Sequence, residues 1–288
     1  MDKRYLFIHN PISGGNKHHF LKEFELVKHH FANFKLITTT HQGHARELAA
    51  QFKNDYDVII AVGGDGTINE IAASLVHSNT ALGIIPNGSA NGLAHYLGIP
   101  ISVSKAAKRL QNSTTKHIDV ITANNRIFVN VAGVGFDGHV NILFNRTKFR
   151  GLWSYAKLVF TEYVKYKEFD YTLLVDDKEY KGLSFFIAFA NTTQYGHNFH
   201  IAPNALAEDG ILQIIVLRKP PFILLPYLIY LIFKGKIAKS KYYREIKGSK
   251  VTLHYPQRAY HLDGEIPENL DINKLDFNVL EGALKVIY

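Results

Sequence analysis

The chain of 288 residues contains no cysteine. That absence excludes disulfides, thiolate nucleophiles and cysteine-ligated metals together, and it gives no sign of an oxidising compartment. Long hydrophobic runs are missing too. The most apolar stretch, Phe222 to Phe233, is about a dozen residues, whereas a spanning helix needs about 20. Met1-Asp2-Lys3-Arg4 is followed by a short apolar run and then His9-Asn10-Pro11, which is not a signal peptide, so a cytoplasmic chain is expected. No repeat or low-complexity tract occurs. No G-x-x-x-x-G-K-[ST] occurs either, which excludes a P-loop. Among 15 histidines, His18-His19, His29-His30 and His197-x-x-His200 form no H-E-x-x-H pattern; they are expected on the surface or in the core rather than on a metal.

What is present is a globular composition, 47% hydrophobic and 20% charged, well outside the regime of disorder. Domains hold roughly 100 to 200 residues, so this length predicts two packed units with a cleft between them. A net charge of +8 favours anionic partners: nucleic acid, a nucleotide or the acidic face of a membrane. Lys148-Phe149-Arg150 and Lys165-Tyr166-Lys167 are basic and aromatic, but no recognition module accompanies them, and no nucleic-acid partner is expected.

The first 120 residues alternate short apolar runs (Tyr5 to His9, Phe34 to Thr38, Val58 to Val62, Ala81 to Ile85) with helical faces such as Phe20, Phe24, Val27 and Phe31. That alternation predicts crossover units on a parallel sheet. Beyond the boundary near 120, strand-like runs dominate: Ile127 to Val131, Tyr171 to Val175, Leu183 to Ala190, Ile211 to Leu217, Val251 to His254 and Leu275 to Leu280. They predict an antiparallel β-sandwich over 121–280, interrupted by one helix carrying Leu152, Tyr155, Ala156, Val159 and Tyr163 at helical spacing. Lys234, Lys236, Lys239, Lys241, Arg244 and Lys247 follow the apolar run Phe222 to Phe233. This order fits an interfacial membrane anchor, and it equally fits a helix buried between domains with a solvated basic tail.

The sharpest chemical feature is Val58-Ile-Ile-Ala-Val62 running into Gly63-Gly64-Asp65-Gly66-Thr67 and then Ile68-Asn69-Glu70. Glycines at a strand exit let backbone N–H groups approach a ligand, and a helix N-terminus favours phosphate. Two further polar turns, Asn10-Pro11-Ile12-Ser13-Gly14-Gly15 and Pro86-Asn87-Gly88-Ser89-Ala90-Asn91-Gly92, leave neighbouring strands. In a parallel sheet all three converge on one crevice. In Leu262-Asp263-Gly264-Glu265 the two acids are two apart, on one face if the segment is a strand, and either is a candidate general base. Gly133-Val134-Gly135-Phe136-Asp137-Gly138 satisfies G-x-G-x-x-G but lacks a crossover unit, which argues against a dinucleotide site.

The ordered set Asn10-Pro11 with Ser13-Gly14, Gly63 to Glu70, Pro86-x-Gly88-Ser89-x-Asn91, Asn204-Ala205-x-x-x-Asp209-Gly210 and Asp263-Gly264-Glu265 resembles the diacylglycerol kinase catalytic-domain family. That family includes bacterial soluble lipid kinases and sphingosine kinases. The resemblance implies an ATP-binding α/β domain over 1–120, rejoined by a final strand over 281–288, and a β-sandwich substrate domain. It implies ATP contacts from Asn10, Ser13, Gly14, Thr39, Gly64, Asp65, Gly66, Thr67, Ile68, Asn69, Glu70 and Ser89. It also implies a catalytic acid set of Asp65, Asp263 and Glu265, with Glu265 favoured as proton acceptor, and a structural Mg²⁺ on Leu206, Asp209 and Ile211. Asp119 matches a family acid near the site. Gly92 stands where many bacterial members carry an acid.

The expectation is ATP-dependent phosphorylation of a lipid hydroxyl with Mg²⁺, at an anionic membrane surface. An NAD kinase, which shares the first glycine block, and a non-catalytic nucleotide- or lipid-binding regulator are the alternatives.

Overall fold

The computed structural model describes residues 3–14, 19–146, 152–256, 259–267 and 273–288. Gly15, His18 and Lys148-Phe149-Arg150 of the sequence reading lie outside them, as do the side chains of His19, Leu152, Tyr155 and Ala156.

Strands β1 (Arg4–His9), β2 (Asn33–Thr38), β3 (Val58–Gly63) and β4 (Ala81–Pro86) form the expected parallel sheet in the order β2-β1-β3-β4. β3 and β4 are buried at every residue, as strands covered on both faces must be. The cover comes from α1 (His19–Val27), α2 (His44–Phe52), α3 (Asp65–Leu75), the short α4 (Gly92–Tyr96) and α5 (Val103–Gln111), with α1 against α5 and α2 against α3. Phe20, Phe24, Val27 and Phe31 are all buried against this sheet.

β5 (Thr115–Ala123), β6 (Arg126–Phe128) and β7 (Val131–Gly135) lead to α6 (Phe136–Arg146) and α7 (Leu152–Lys165). β8 (Phe169–Val175), β9 (Lys178–Ser184), β10 (Phe186–Ala190) and β11 (Leu212–Leu217) precede α8 (Leu225–Phe233). The chain finishes with β12 (Tyr243–Gly248), β13 (Lys250–His254), β14 (Tyr260–Leu262) and β15 (Lys274–Ile287). A five-stranded antiparallel sheet, β12-β11-β10-β7-β14, packs on a second layer made of β5, β6, β8, β9, β13 and β15. Phe128, Phe189, Phe277, Leu173 and Leu253 fill the space between them, with Phe189 stacked on Phe277 at 4.0 Å. The expected sandwich is therefore present.

β15 is 14 residues long and joins in one strand the run Leu275 to Leu280 and the final strand expected over 281–288. It pairs antiparallel with β13 and β5, then lies parallel to β4 at Val286–Leu82. One ten-stranded sheet thus runs through both halves. Two apolar runs also divide. Leu183 to Ala190 changes sheet at Phe185, and Ile127 to Val131 breaks at Val129 and Asn130.

Candidate active site

Three turns at the carboxyl edge of the parallel sheet are tied together by their own polar groups. Asn10 Nδ2 donates to Thr67 Oγ1 at 3.0 Å, and Ser13 Oγ donates to the Asn10 carbonyl at 2.8 Å. Asn87 Nδ2 donates to Ser13 Oγ at 3.2 Å. Gly64 and Gly88 bring their backbones into contact; a Cβ on Gly88 would overlap Gly64 Cα. Glycine is required there for close approach.

The turns after β1 and β3 wall a cavity of about 360 Å³, within the usual range for a small-molecule site, roughly 300–1,000 Å³. Asn10, Ser13, Thr39, Gly64, Gly66, Thr67 and Glu70 line it. Gly14, Asp65, Ile68, Asn69 and Ser89 do not: Ile68 is in the core, Ser89 is exposed outside the cleft, and Gly14 backs onto Asn87. The turn after β4 packs behind Gly64, and the third wall is the turn after β2, with Thr40, His41 and Gln42. Of that turn the resemblance implies only Thr39; with no dense glycine block, its sequence does not mark it as a wall. Donor atoms of His41, His44 and Glu47 lie within 4.8 Å of one another at this rim, a grouping that no histidine motif announced.

The acids fall into distinct roles. Glu70 accepts the amides of Gly43 at 2.9 Å and Ala45 at 3.2 Å, which caps α2 and fixes the third wall. Asp65 accepts the amides of Asn91 at 2.9 Å and Gly92 at 2.7 Å, and so orients the turn after β4. Burial, followed by the neighbouring Asp263, pushes its pKa up to about 6.

Asp263 and Glu265 do not share a strand face. β14 ends at Leu262, and Asp263-Gly264 form a tight turn with φ of 50° and 82°. Leu262 and Glu265 exchange both backbone hydrogen bonds across it at 2.9 Å, as in a type I′ hairpin. Both Asp263 oxygens are occupied. One accepts Asn69 Nδ2 at 2.8 Å and the Val129 amide at 2.9 Å; the other accepts the amides of Asn130 at 2.9 Å and Val131 at 3.1 Å. Asp263 therefore staples α3 to the β6–β7 link. Four donors leave little capacity to accept a proton from a ligand.

Glu265 differs. It lines the cavity at an exposed position and lies directly on Gly66, where an added Cβ would overlap its Oε1. Among the described residues no group donates to its carboxylate. Desolvation by the surrounding protein raises its pKa, as do Glu70 and Asp263, while Arg46 and Arg126 pull it down. A raised pKa on an unpaired carboxylate suits proton acceptance.

Leu206, Asp209 and Ile211 end the loop before β11 and do not line the cavity. Asp209 Oδ1 accepts the Ile211 amide at 3.1 Å. Asp119 is close by rather than at the cleft. It is fully buried and accepts the amides of Gly210 at 2.8 Å and Gly282 at 2.7 Å. Burial holds its pKa up, and Asp209 and Glu281 add repulsion. An oxygen-only donor set amid three acids fits a hard divalent cation.

Gly92 has no room for a side chain. A Cβ there would overlap the amide of Asn130 and approach the Tyr195 carbonyl at 2.8 Å. Asn130, buried and bonded by Thr192 Oγ1, fills the space beside it.

Residues 4–123 match the family described as diacylglycerol kinase catalytic domain, and residues 130–288 match the YegS C-terminal NAD kinase beta sandwich-like domain. The chain is similar to a Bacillus subtilis protein named diacylglycerol kinase, 28% identical over 284 residues, or 91% of this chain and 90% of the relative. A Staphylococcus saprophyticus protein of the same name is 27% identical over 286 residues, or 96% of this chain and 93% of the relative. The solved structure of a diacylglycerol kinase from Bacillus anthracis has a TM-score of 0.76 and 24% identity, with 99% of this chain and 97% of that chain covered; this likeness shows the fold.

Proposed function

We propose that this chain, which belongs to the diacylglycerol kinase catalytic-domain family, transfers the γ-phosphoryl group of ATP to a lipid hydroxyl. The observation that carries the reading is Glu265, whose carboxylate accepts no hydrogen bond among the described residues, on the wall of the cavity that the glycine turns enclose. Phosphoryl transfer depends on in-line positioning and charge neutralisation, with a carboxylate taking the hydroxyl proton. The turns at Asn10–Ser13 and Gly64–Thr67 hold the phosphates, aided by amides at the start of α3 that have no helical partner. Glu265 then accepts the lipid proton as the new phosphate ester bond forms and ADP departs. Mg²⁺, when bound, would neutralise phosphate charge; Leu206, Asp209 and Ile211 would hold a second, structural ion.

The lipid reaches the cleft from a membrane surface. No helix among the described residues is long and apolar enough to cross a membrane. Instead α8 buries Leu225, Leu228, Leu231 and Ile232 and turns a second apolar face outward. Tyr227 and Tyr230 on that face are exposed, and in the short 3-10 turn just before α8 Phe222 is exposed and Ile223 is 84% exposed. Lys234, Lys236, Lys239 and Lys241 follow, and near an anionic surface each adds about 1 kcal/mol. This patch supports peripheral docking on acidic lipid. Ile223→Glu with Tyr227→Glu should abolish co-sedimentation with anionic vesicles, and unchanged binding would remove the docking proposal.

Labelled ATP supplied with a panel of lipids in mixed micelles tests the whole reading. A phosphorylated lipid supports it. A soluble product made from NAD would indicate an NAD kinase, and ATP binding without transfer would indicate a regulator.

A further inference from the structure

We infer that buried His261, held by Asp137 and Tyr195, positions Glu265 for proton acceptance; this rests on the reading of Glu265 above. None of the three lines the cavity, and the phosphotransfer chemistry assigns them no step. Asp137 belongs to the Gly133–Gly138 glycine motif, which opens α6 and has no crossover strand to make it a dinucleotide site.

His261 is 1% exposed and precedes the Asp263-Gly264 turn. Its Nδ1 lies 3.1 Å from the Gly264 amide nitrogen, and its Nε2 lies 2.9 Å from Asp137 Oδ2. An amide can only donate, so Nδ1 must offer its lone pair. The hydrogen of the neutral ring then sits on Nε2 and points at Asp137. The Tyr195 hydroxyl donates to the same Asp137 oxygen. Burial penalises the Asp137 charge, and the hydrogen bonds from the neutral His261 ring and the Tyr195 hydroxyl favour it. An ionised Asp137 accepts from both. Gly133 leaves the space these groups fill; a Cβ there would come within 2.6 Å of His261 Nε2.

The order of control is therefore Asp137 to the His261 tautomer, to the Gly264 amide, to Glu265 one residue on. Asp263 pins one side of the turn through its four donors, and His261 pins the other. Without the His261 acceptor, Gly264 has no partner for its amide and the turn is free to tilt. A displacement of about 1 Å at a reacting group can cost about 100-fold in rate.

Two measurements test this positioning role. In the first, His261→Leu removes both ring nitrogens, and His261→Gln offers an amide with one acceptor and donors. His261→Leu should lower kcat by about 10- to 100-fold with KM for ATP unchanged, and His261→Gln should restore most of it. A merely structural role would move the melting temperature and KM in both variants without rescue. Glu265→Gln is assayed alongside. If it loses kcat and His261→Leu does not, the positioning inference fails alone; if Glu265→Gln turns over normally, the base assignment fails and takes the inference with it. The second measurement needs no disruptive variant. The imidazole ¹⁵N spectrum of the wild-type protein, with the His261 signals identified by their loss in His261→Gln, should show hydrogen on Nε2 and a bare Nδ1. Hydrogen on Nδ1 would overturn the inference.

Discussion

Glu265 rests against the backbone of Gly66, with its Oε1 in the space that any side chain on Gly66 would need. Gly66 opens α3 and Glu265 follows β14, so this contact joins the nucleotide turn to the sandwich half. The obstructing atom is the far end of a flexible side chain. Gly66→Ala should therefore swing Glu265 away while the fold survives, helped by about 0.5–1 kcal/mol of helix entropy. A fall in kcat of at least about 10-fold with an unchanged or raised melting temperature is expected, measured by lipid phosphorylation and calorimetry.

Asp263→Ala should act on stability first. It strands three backbone amides and the Asn69 amide group, and each buried unsatisfied donor costs about 1–3 kcal/mol. Denaturant unfolding should show a loss of about 3 kcal/mol or more. A variant as stable as wild type but inactive would return Asp263 to the role of base.

Asp65 makes a pH-dependent contribution. Its pKa in the folded chain, about 6, lies above the ordinary 3.8, so the folded state binds the extra proton between those values. The stability linked to this proton is complete below about 3.8 and is lost as pH rises through about 6. Over that window Asp65 should lower the unfolding free energy by up to about 1.4 kcal/mol per pH unit. Asp65→Asn should remove this component from the pH profile of stability, and an identical slope in the two proteins would contradict the assignment.

Gly92→Asp would introduce the acid that the family resemblance leads one to expect at this position, but Asn130 blocks it here. The single variant should destabilise the chain by about 1–3 kcal/mol through overpacking. Adding Asn130→Gly should recover part of that loss. Thermal unfolding of the two variants gives the comparison, and additive losses would show that the two positions do not compete.

The parallel half was legible because its strands are buried on both faces and its turns are punctuated by glycine. Val58 to Glu70 reads directly as strand, turn and helix, and convergence follows from parallel order. The sandwich was less legible because apolar alternation carries no mark where a chain changes sheet. Leu183 to Ala190 looks continuous, yet Phe185 separates strands of different layers. Lys241 to Lys247 reads as a basic cluster, part of a membrane anchor or of a solvated tail, but Tyr243–Gly248 is the edge strand β12. Spacing alone left Asp263 and Glu265 equivalent. Two successive positive φ values, which only the backbone reveals, turn one carboxylate into a staple and leave the other facing the cavity.

Single-turnover transfer from labelled ATP to lipid in anionic mixed micelles, with ATP binding measured on the same samples, tests the role of Glu265 most directly. Glu265→Gln should bind ATP as wild type does and transfer phosphate about 100- to 10,000-fold more slowly, the range that general-base assistance supplies. Equal transfer rates in the two proteins would contradict it.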